Sequence, residues 1–303
     1  MNWSRAKSIL LLIFVLLNLV LAYFNFWQPG QVWDSPLSGD DIYVTIRNQL
    51  LDEKIAILQS IPKKVPQASL LSLKRDDSSL LLADHLFAQK DVEKEIRISH
   101  DHEQNFIFRS DQEELIISSD EFMTYYNRRE EDDEEALISY DFAKSAAEDF
   151  IKNRLGFSSF NYKFEPFSGV ENIAAQQNVI YCPTYKGAPI FDLGIDLVIQ
   201  NDEVLIGNFN IYKQISSVDR VEWVTPAIDI LLRLPQDDLI VQLRDQALEQ
   251  DENWLVITDL RFGYFSFYQT GQEIQAQPVW RVDLDGGQVV YYDAFTAKRL
   301  FHH

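Results

Sequence analysis

The chain has 303 residues, 46% of them hydrophobic and 13% aromatic, with only 11 Gly and 10 Pro; this supplies a sizeable core and excludes a disordered chain. Its 47 acidic and 27 basic residues leave a formal net charge of −20, which repels nucleic-acid phosphate and anionic lipid over most of the surface. One cysteine, Cys182, excludes an intramolecular disulfide and a multi-cysteine metal site.

The first feature along the chain is the apolar run Ser8 to Trp27. Between Lys7 and Asp34 tyrosine is the only ionisable residue. Twenty helical residues reach about 30 Å, the thickness of a bilayer's hydrocarbon core. Trp3 precedes the run and Tyr23 and Trp27 close it, as aromatic rings do at membrane interfaces. Arg5 and Lys7 lie before it, whereas Asp34, Asp40 and Asp41 follow it. The positive-inside rule therefore puts the N-terminus in the cytoplasm and the rest outside. A cleaved signal peptide is the competing reading, with Val20-Leu21-Ala22 as the cut site, but the apolar residues continue past it to Trp27. Asn18 falls mid-span, where its amide either bonds a neighbouring helix or finds local backbone and water. Val15 and Ala22 share its helix face, so Val15, Asn18 and Ala22 are the candidate partner-binding residues.

Residues 28–39, with Pro29, Gly30, Pro36 and Gly39, read as a juxtamembrane linker. Helical spacing of Ile42, Ile46, Leu50, Ile55 and Leu58 predicts a helix over Asp40 to Gln59, ended by Pro62 and Pro66. Short β-like runs follow at Ser69–Lys74, Ser79–Leu82, Ile96–Ser99, Asn105–Arg109 and Glu114–Ser118. The charge run Arg128 to Glu135 reads as a solvated linker that closes an N-terminal mixed region, 40–135.

Asp141 to Leu155 is the next amphipathic stretch, stopped at Gly156. Strands are expected at Tyr162–Phe167, Val179–Tyr185, Asp192–Gln200 and Glu203–Tyr212, with a hairpin turn at Asn201-Asp202. The order then repeats: helices at Ala227–Leu234 and Leu239–Gln250, and strands at Leu255–Tyr268, Gln277–Leu284 and Gln288–Tyr292, with a turn at Asp285-Gly286-Gly287. The expected fold class is α+β: a transmembrane helix (8–27) behind a cytoplasmic N-terminus (1–7), then duplicated helix-plus-antiparallel-sheet modules at 136–215 and 216–303.

Several stretches carry a resemblance. They are Met1-Asn2-Trp3-Ser4-Arg5-Ala6-Lys7 running into the span, Tyr185-Lys186-Gly187-Ala188-Pro189-Ile190-Phe191, Leu260-Arg261-Phe262-Gly263-Tyr264-Phe265, Pro278-Val279-Trp280-Arg281-Val282 and Tyr291-Tyr292-Asp293-Ala294-Phe295-Thr296. In this order, over nearly the whole chain, they resemble the YycI family of membrane-anchored proteins. The last is also similar to PepSY-like modules that end in an Asp-Ala-x-Thr-Gly turn, and Lys298 stands near the expected glycine. The resemblance implies modules similar to the C-terminal domains of YycH. It also implies a non-enzymatic role with YycH and the WalK (YycG) sensor kinase, upstream of WalR (YycF), in cell-wall homeostasis. It brings no catalytic residue, cofactor or metal.

Chemistry is sparse elsewhere. His100-Asp101-His102 has metal-ligand spacing but no third ligand nearby, and His302-His303 end the chain. No G-x-S-x-G, H-E-x-x-H or phosphate-cradling glycine loop occurs. Cys182, Trp280 and Tyr264 read as core residues of strands. Two classes of function remain: a regulator acting through helix contacts, and an extracytoplasmic module that binds a peptide or cell-wall fragment by strand addition or in a groove.

Overall fold

The computed structural model describes residues 14, 40–75, 79–87, 91–98, 104–119, 122–128, 136–156, 162–165, 173–218, 220–250, 254–270 and 273–300. The expected span 8–27, with its candidates Val15, Asn18 and Ala22, lies outside the described residues apart from Phe14. So do most of the Arg128–Glu135 charge run and the histidines at 100, 102, 302 and 303. Among the described residues, no helix is long and apolar enough to cross a membrane.

From residue 40 the described elements are α1 (Asp40–Asp52), β1 (Ile55–Ile57), β2 (Gln67–Ala68), β3 (Leu71–Arg75) and α2 (Ser79–Leu86). Four antiparallel strands follow: β4 (Glu93–Ile98), β5 (Gln104–Arg109), β6 (Glu113–Ile117) and β7 (Met123–Asn127). Next come β8 (Ile138–Ser139), α3 (Tyr140–Asp149), β9 (Tyr162–Glu165), β10 (Ile173–Ala174), β11 (Gln176–Tyr185), β12 (Ala188–Pro189), β13 (Ile195–Gln200) and β14 (Glu203–Phe209). The chain closes with β15 (Tyr212–Ser217), β16 (Glu222–Trp223), α4 (Ala227–Arg233), α5 (Asp238–Glu249), β17 (Leu255–Thr270), β18 (Glu273–Leu284) and β19 (Val289–Asp293).

Two large sheets result. The first runs β1-β17-β18-β3-β15, with β19 also on β18. The second runs β12-β11-β13-β14-β7-β6-β5-β4, with β9 also on β11. β3 and β15 are antiparallel neighbours, so everything from α2 to β14 leaves the first sheet and returns at one place. Each sheet covers its own core: α1, α4 and α5 pack residues such as Ile46, Ile230 and Leu243 on the first, and α2 and α3 pack Leu86, Ala143 and Ala147 on the second. The fold is α+β, with few helices.

The pattern logic is clearest at β13, where alternate residues are buried and the chain turns at Asn201 (φ 57) into β14. The expected helices at Asp141, Ala227 and Leu239 are all present. Ser139 caps α3 by accepting the Phe142 N–H at 3.3 Å, and Asp237 caps α5 through the N–H groups of Leu239 and Ile240. Beyond Asp149 the helix widens to a π-helix over Phe150–Arg154.

Two expectations are corrected. The helix predicted to Gln59 ends at Asp52, because Lys54 turns the chain (φ 62) and Ile55-Ala56-Ile57 pair in parallel with Leu255-Val256-Ile257. The β-like Ser79–Leu82 run is the start of α2: Leu82, Ala83 and Leu86 share one buried helix face, a period that four residues are too few to reveal. In the last turn the left-handed residue is Ala297 (φ 53), so the glycine-like position is 297, next to Lys298, in keeping with the sequence.

Lys186 (φ 50) and Gly187 (φ 83) are the two loop residues between Tyr185 and Ala188, which pair across the β11–β12 hairpin. Two positive φ angles are the requirement of a type I′ turn. A Cβ on Gly187 would meet nothing within 4 Å, so Gly187→Ala isolates backbone strain. It is expected to cost about 1 kcal/mol, and Lys186→Asn to gain a few tenths. Denaturant midpoints check both, and an unchanged midpoint for Gly187→Ala would contradict the turn assignment.

Candidate functional site

Of the segments that carried the resemblance, Met1–Lys7 lies outside the described residues, and the other four converge on one seam between the sheets. After the β12 hairpin, Ile190 forms a parallel bridge to Tyr264 of β17, and the Phe191 N–H donates to the Tyr264 carbonyl at 2.9 Å. Asp192 accepts the Ser266 N–H at 2.9 Å and its hydroxyl as well. Gly263 makes the approach possible, because a Cβ there would lie 2.4 Å from the Phe191 ring and 2.6 Å from the Pro189 carbonyl.

Phe191 lies on a charged patch of the first sheet. Its ring faces the guanidinium groups of Arg281 at 5.0 Å and Arg261 at 5.8 Å, and it packs against Tyr291 at 6.0 Å. The β17–β18 register sets Arg261 opposite Arg281 and Asp259 opposite Asp283. Like charges directly opposed repel. The buried Asp283 carboxylate resolves this by accepting from Arg281 Nε at 2.6 Å and from Arg261 at 2.9 Å. Asp259 pairs with Arg261, and burial pushes its carboxyl above the usual range against the pull of that arginine.

Beneath the patch Trp280, only 1% exposed, meets Phe262 edge-on, and its indole N–H donates to the Thr225 carbonyl at 2.8 Å. The final turn is held by Asp293 Oδ1, which accepts from the N–H groups of Phe295 and Thr296 and from the Thr296 hydroxyl, all within 2.9 Å. Arg233 closes it by donating to the Thr296 and Ala297 carbonyls. Asp237 ties α5 to β19, accepting from Tyr292 at 3.2 Å and pairing with Arg299 at 3.0 Å. Trp280, Tyr264 and Cys182 are all buried, as the sequence reading expected, and the Cys182 thiol points to the Phe191 carbonyl at 3.6 Å.

A second polar cluster lies in the other sheet, beside a cavity of about 360 Å³ lined by Glu113, Tyr125, Asp149, Phe150, Arg154 and Glu203 among others. The π-helix delivers Arg154 to Glu113 at 2.9 Å, and the Tyr125 hydroxyl donates to the same carboxylate at 2.8 Å. On the opposite face Glu114 accepts from Arg109 and Arg128. These groups satisfy one another, and among the described residues no group of three His, Cys, Asp or Glu is placed to hold a metal. Sequence reasoning passed over Phe191, Arg261, Arg281, Asp283, Glu113 and Arg154 as site residues. The available signal was the repeated charge-apolar-charge pattern of Asp259-Leu260-Arg261 and Arg281-Val282-Asp283, which marks a polar sheet face without saying what covers it.

The fold and the seam thus define a two-sheet α+β protein whose marked residues lock sheet to sheet. The family model described as YycI protein matches residues 40–295, most of the chain, and the chain belongs to the YycI family. A crystal structure of an uncharacterized protein from Eubacterium rectale ATCC 33656 shares the fold: 11% identity, TM-score 0.55, 87% of this chain and 99% of that one. YycH from Bacillus subtilis is similar at 12% identity and TM-score 0.44, over 77% of this chain and 56% of its own. No curated protein matches the chain.

Gly263→Ala is expected to force Phe191 off the seam at a cost of about 1–3 kcal/mol, read as a lower unfolding midpoint and new proteolytic cleavage near residues 186–192. Glu114 supplies a pH test. Burial alone would raise its carboxyl, but the Arg109 and Arg128 bonds bring it net below the usual range. Its stabilising contribution is therefore present above the unfolded value of about 4.3 and is lost as pH falls through the lower folded value. Glu114→Gln should lower stability at pH 7 and flatten the acid limb of stability against pH; an identical acid limb would contradict the pairing.

Proposed function

We propose that this chain is a non-enzymatic accessory regulator of a WalK (YycG)-type sensor histidine kinase, acting with a YycH-like protein to tune WalR (YycF) signalling and cell-wall homeostasis. The observation that carries the reading is the family match across residues 40–295. In this reading residues 8–27 form a single span with residues 1–7 in the cytoplasm, and the two-sheet body lies outside the cell membrane. The body's two helix-then-strand units, α3 with the strands after it and α4 and α5 with β17 to β19, are read as copies of one module, as in the C-terminal domains of YycH.

A partner shifts a kinase only if it binds one signalling state better than the other, and about 1.4 kcal/mol of preference changes the state ratio tenfold. A few contacts along the Val15, Asn18 and Ala22 face and one interhelical hydrogen bond are of that size. The second reading, an extracytoplasmic module that binds a peptide or wall fragment by strand addition, draws on the exposed edge strand β4.

Kinase autophosphorylation in membranes separates the two. Residues 1 to 38 alone should reproduce the effect of the whole chain, and Asn18→Leu should weaken it. If the body on an unrelated anchor retains the effect and residues 1 to 38 do not, the binding-module reading replaces the helix reading.

A further inference from the structure

Among the described residues, strand β4 (Glu93–Ile98) ends the path of the second sheet, paired with β5 on one side. All six of its residues are exposed, including Ile96 at 62% and Ile98 at 61%. Isolated exposed apolar residues are common, but two on one face of an edge strand form a template for another strand. Lys94, the residue on that face that would discourage pairing, is engaged within its own chain. It meets Asp84 of α2 at 3.6 Å and lies over the Phe108 ring at 5.3 Å. The open end of the face is therefore Ile96 and Ile98. The other face carries Glu93, Glu95 and Arg97, where Glu95 already meets Arg97 at 3.5 Å and Arg109 at 3.2 Å.

We propose that β4 pairs antiparallel with β4 of a second copy of this chain, centred on Ile96, so that one sheet runs through both copies. The register follows from charge. A two-fold axis normal to the sheet keeps the faces aligned, so directly opposed residues lie on the same face and the axis passes through a residue pair. An axis at Arg97 opposes two guanidinium groups, and one at Glu95 opposes two carboxylates at the centre. An axis at Ile96 places Ile96 on Ile96, Glu95 opposite Arg97 twice, and the Lys94 stem along Ile98. That register joins an apolar centre to opposite charges on both sides, the pairings that stabilise antiparallel strands. The inference goes beyond the kinase reading and does not depend on it.

The test is oxidative cross-linking with copper phenanthroline in membranes carrying the full chain. The native Cys182 is buried and provides the background. With Ile96→Cys, the two engineered thiols face each other across the axis. With Ile98→Cys, they are four residues apart along the strands, about 13 Å at 3.3 Å per residue, beyond disulfide reach. Cross-linked dimer is expected several-fold above background at position 96 and at background at 98. Adding Glu95→Arg or Arg97→Glu to Ile96→Cys should abolish the dimer in each case. Co-expressing the two should restore it between unlike copies, because an Arg-Arg strand then faces a Glu-Glu strand. Position 96 cross-linking no better than 98, linking to another protein in place of a second copy, ignoring the charge changes or failing to recover in the mixture would each overturn the proposal.

Discussion

The seam between the two sheets is built on one crossing segment, in which Phe191 covers two arginines while Ile190 and Leu193 enter the first sheet's core. Phe191 leaves the β12 hairpin and lies over Arg261 and Arg281, against Tyr291 and above a glycine, with its backbone bonded to the Tyr264 carbonyl. The ring needs bare backbone beneath it, which Gly263 supplies, and cations held still, which Asp283 supplies. Without that carboxylate the cross-strand register would leave two guanidinium groups opposed, and removing one partner of a buried charged cluster costs several kcal/mol, on the order of 3–5.

The same logic explains why the family's marked stretches are spread along the chain. Each of the four that lie in the described residues supplies one surface of the seam: the hairpin and Phe191, the glycine-bearing strand, the Trp280–Arg281 strand, and the Tyr291–Thr296 turn. Trp280 and Asp293 support the patch from below through Thr225 and the closing turn.

How much was legible depended on the range of the interaction. The amphipathic helices around Ala147, Ile230 and Leu243, and the hairpin at Asn201, announce themselves within one window of sequence, because burial and turn chemistry are local there. Ile55-Ala56-Ile57 did not, because its strand identity comes from a parallel partner in β17 far along the chain, while Ile55 and Leu58 mimic a helix period. Ala297 shows a finer loss: its left-handed backbone is imposed by the Asp293 and Arg233 bonds around it, so the glycine-like position carries no glycine. The seam lay between these cases. Its residues were visible as motifs, but their convergence was not, because the residue that covers Arg261 and Arg281 comes from the other sheet.

The most direct measurement of the seam is hydrogen exchange on the full chain with Phe191→Ala. The account predicts that β17 around Arg261–Ser266 and the hairpin around Ala188–Asp192 lose protection together, while β5 to β7 keep theirs. Loss confined to the hairpin, with β17 unchanged, would contradict it and would mean that the two sheets hold together by contacts other than this ring.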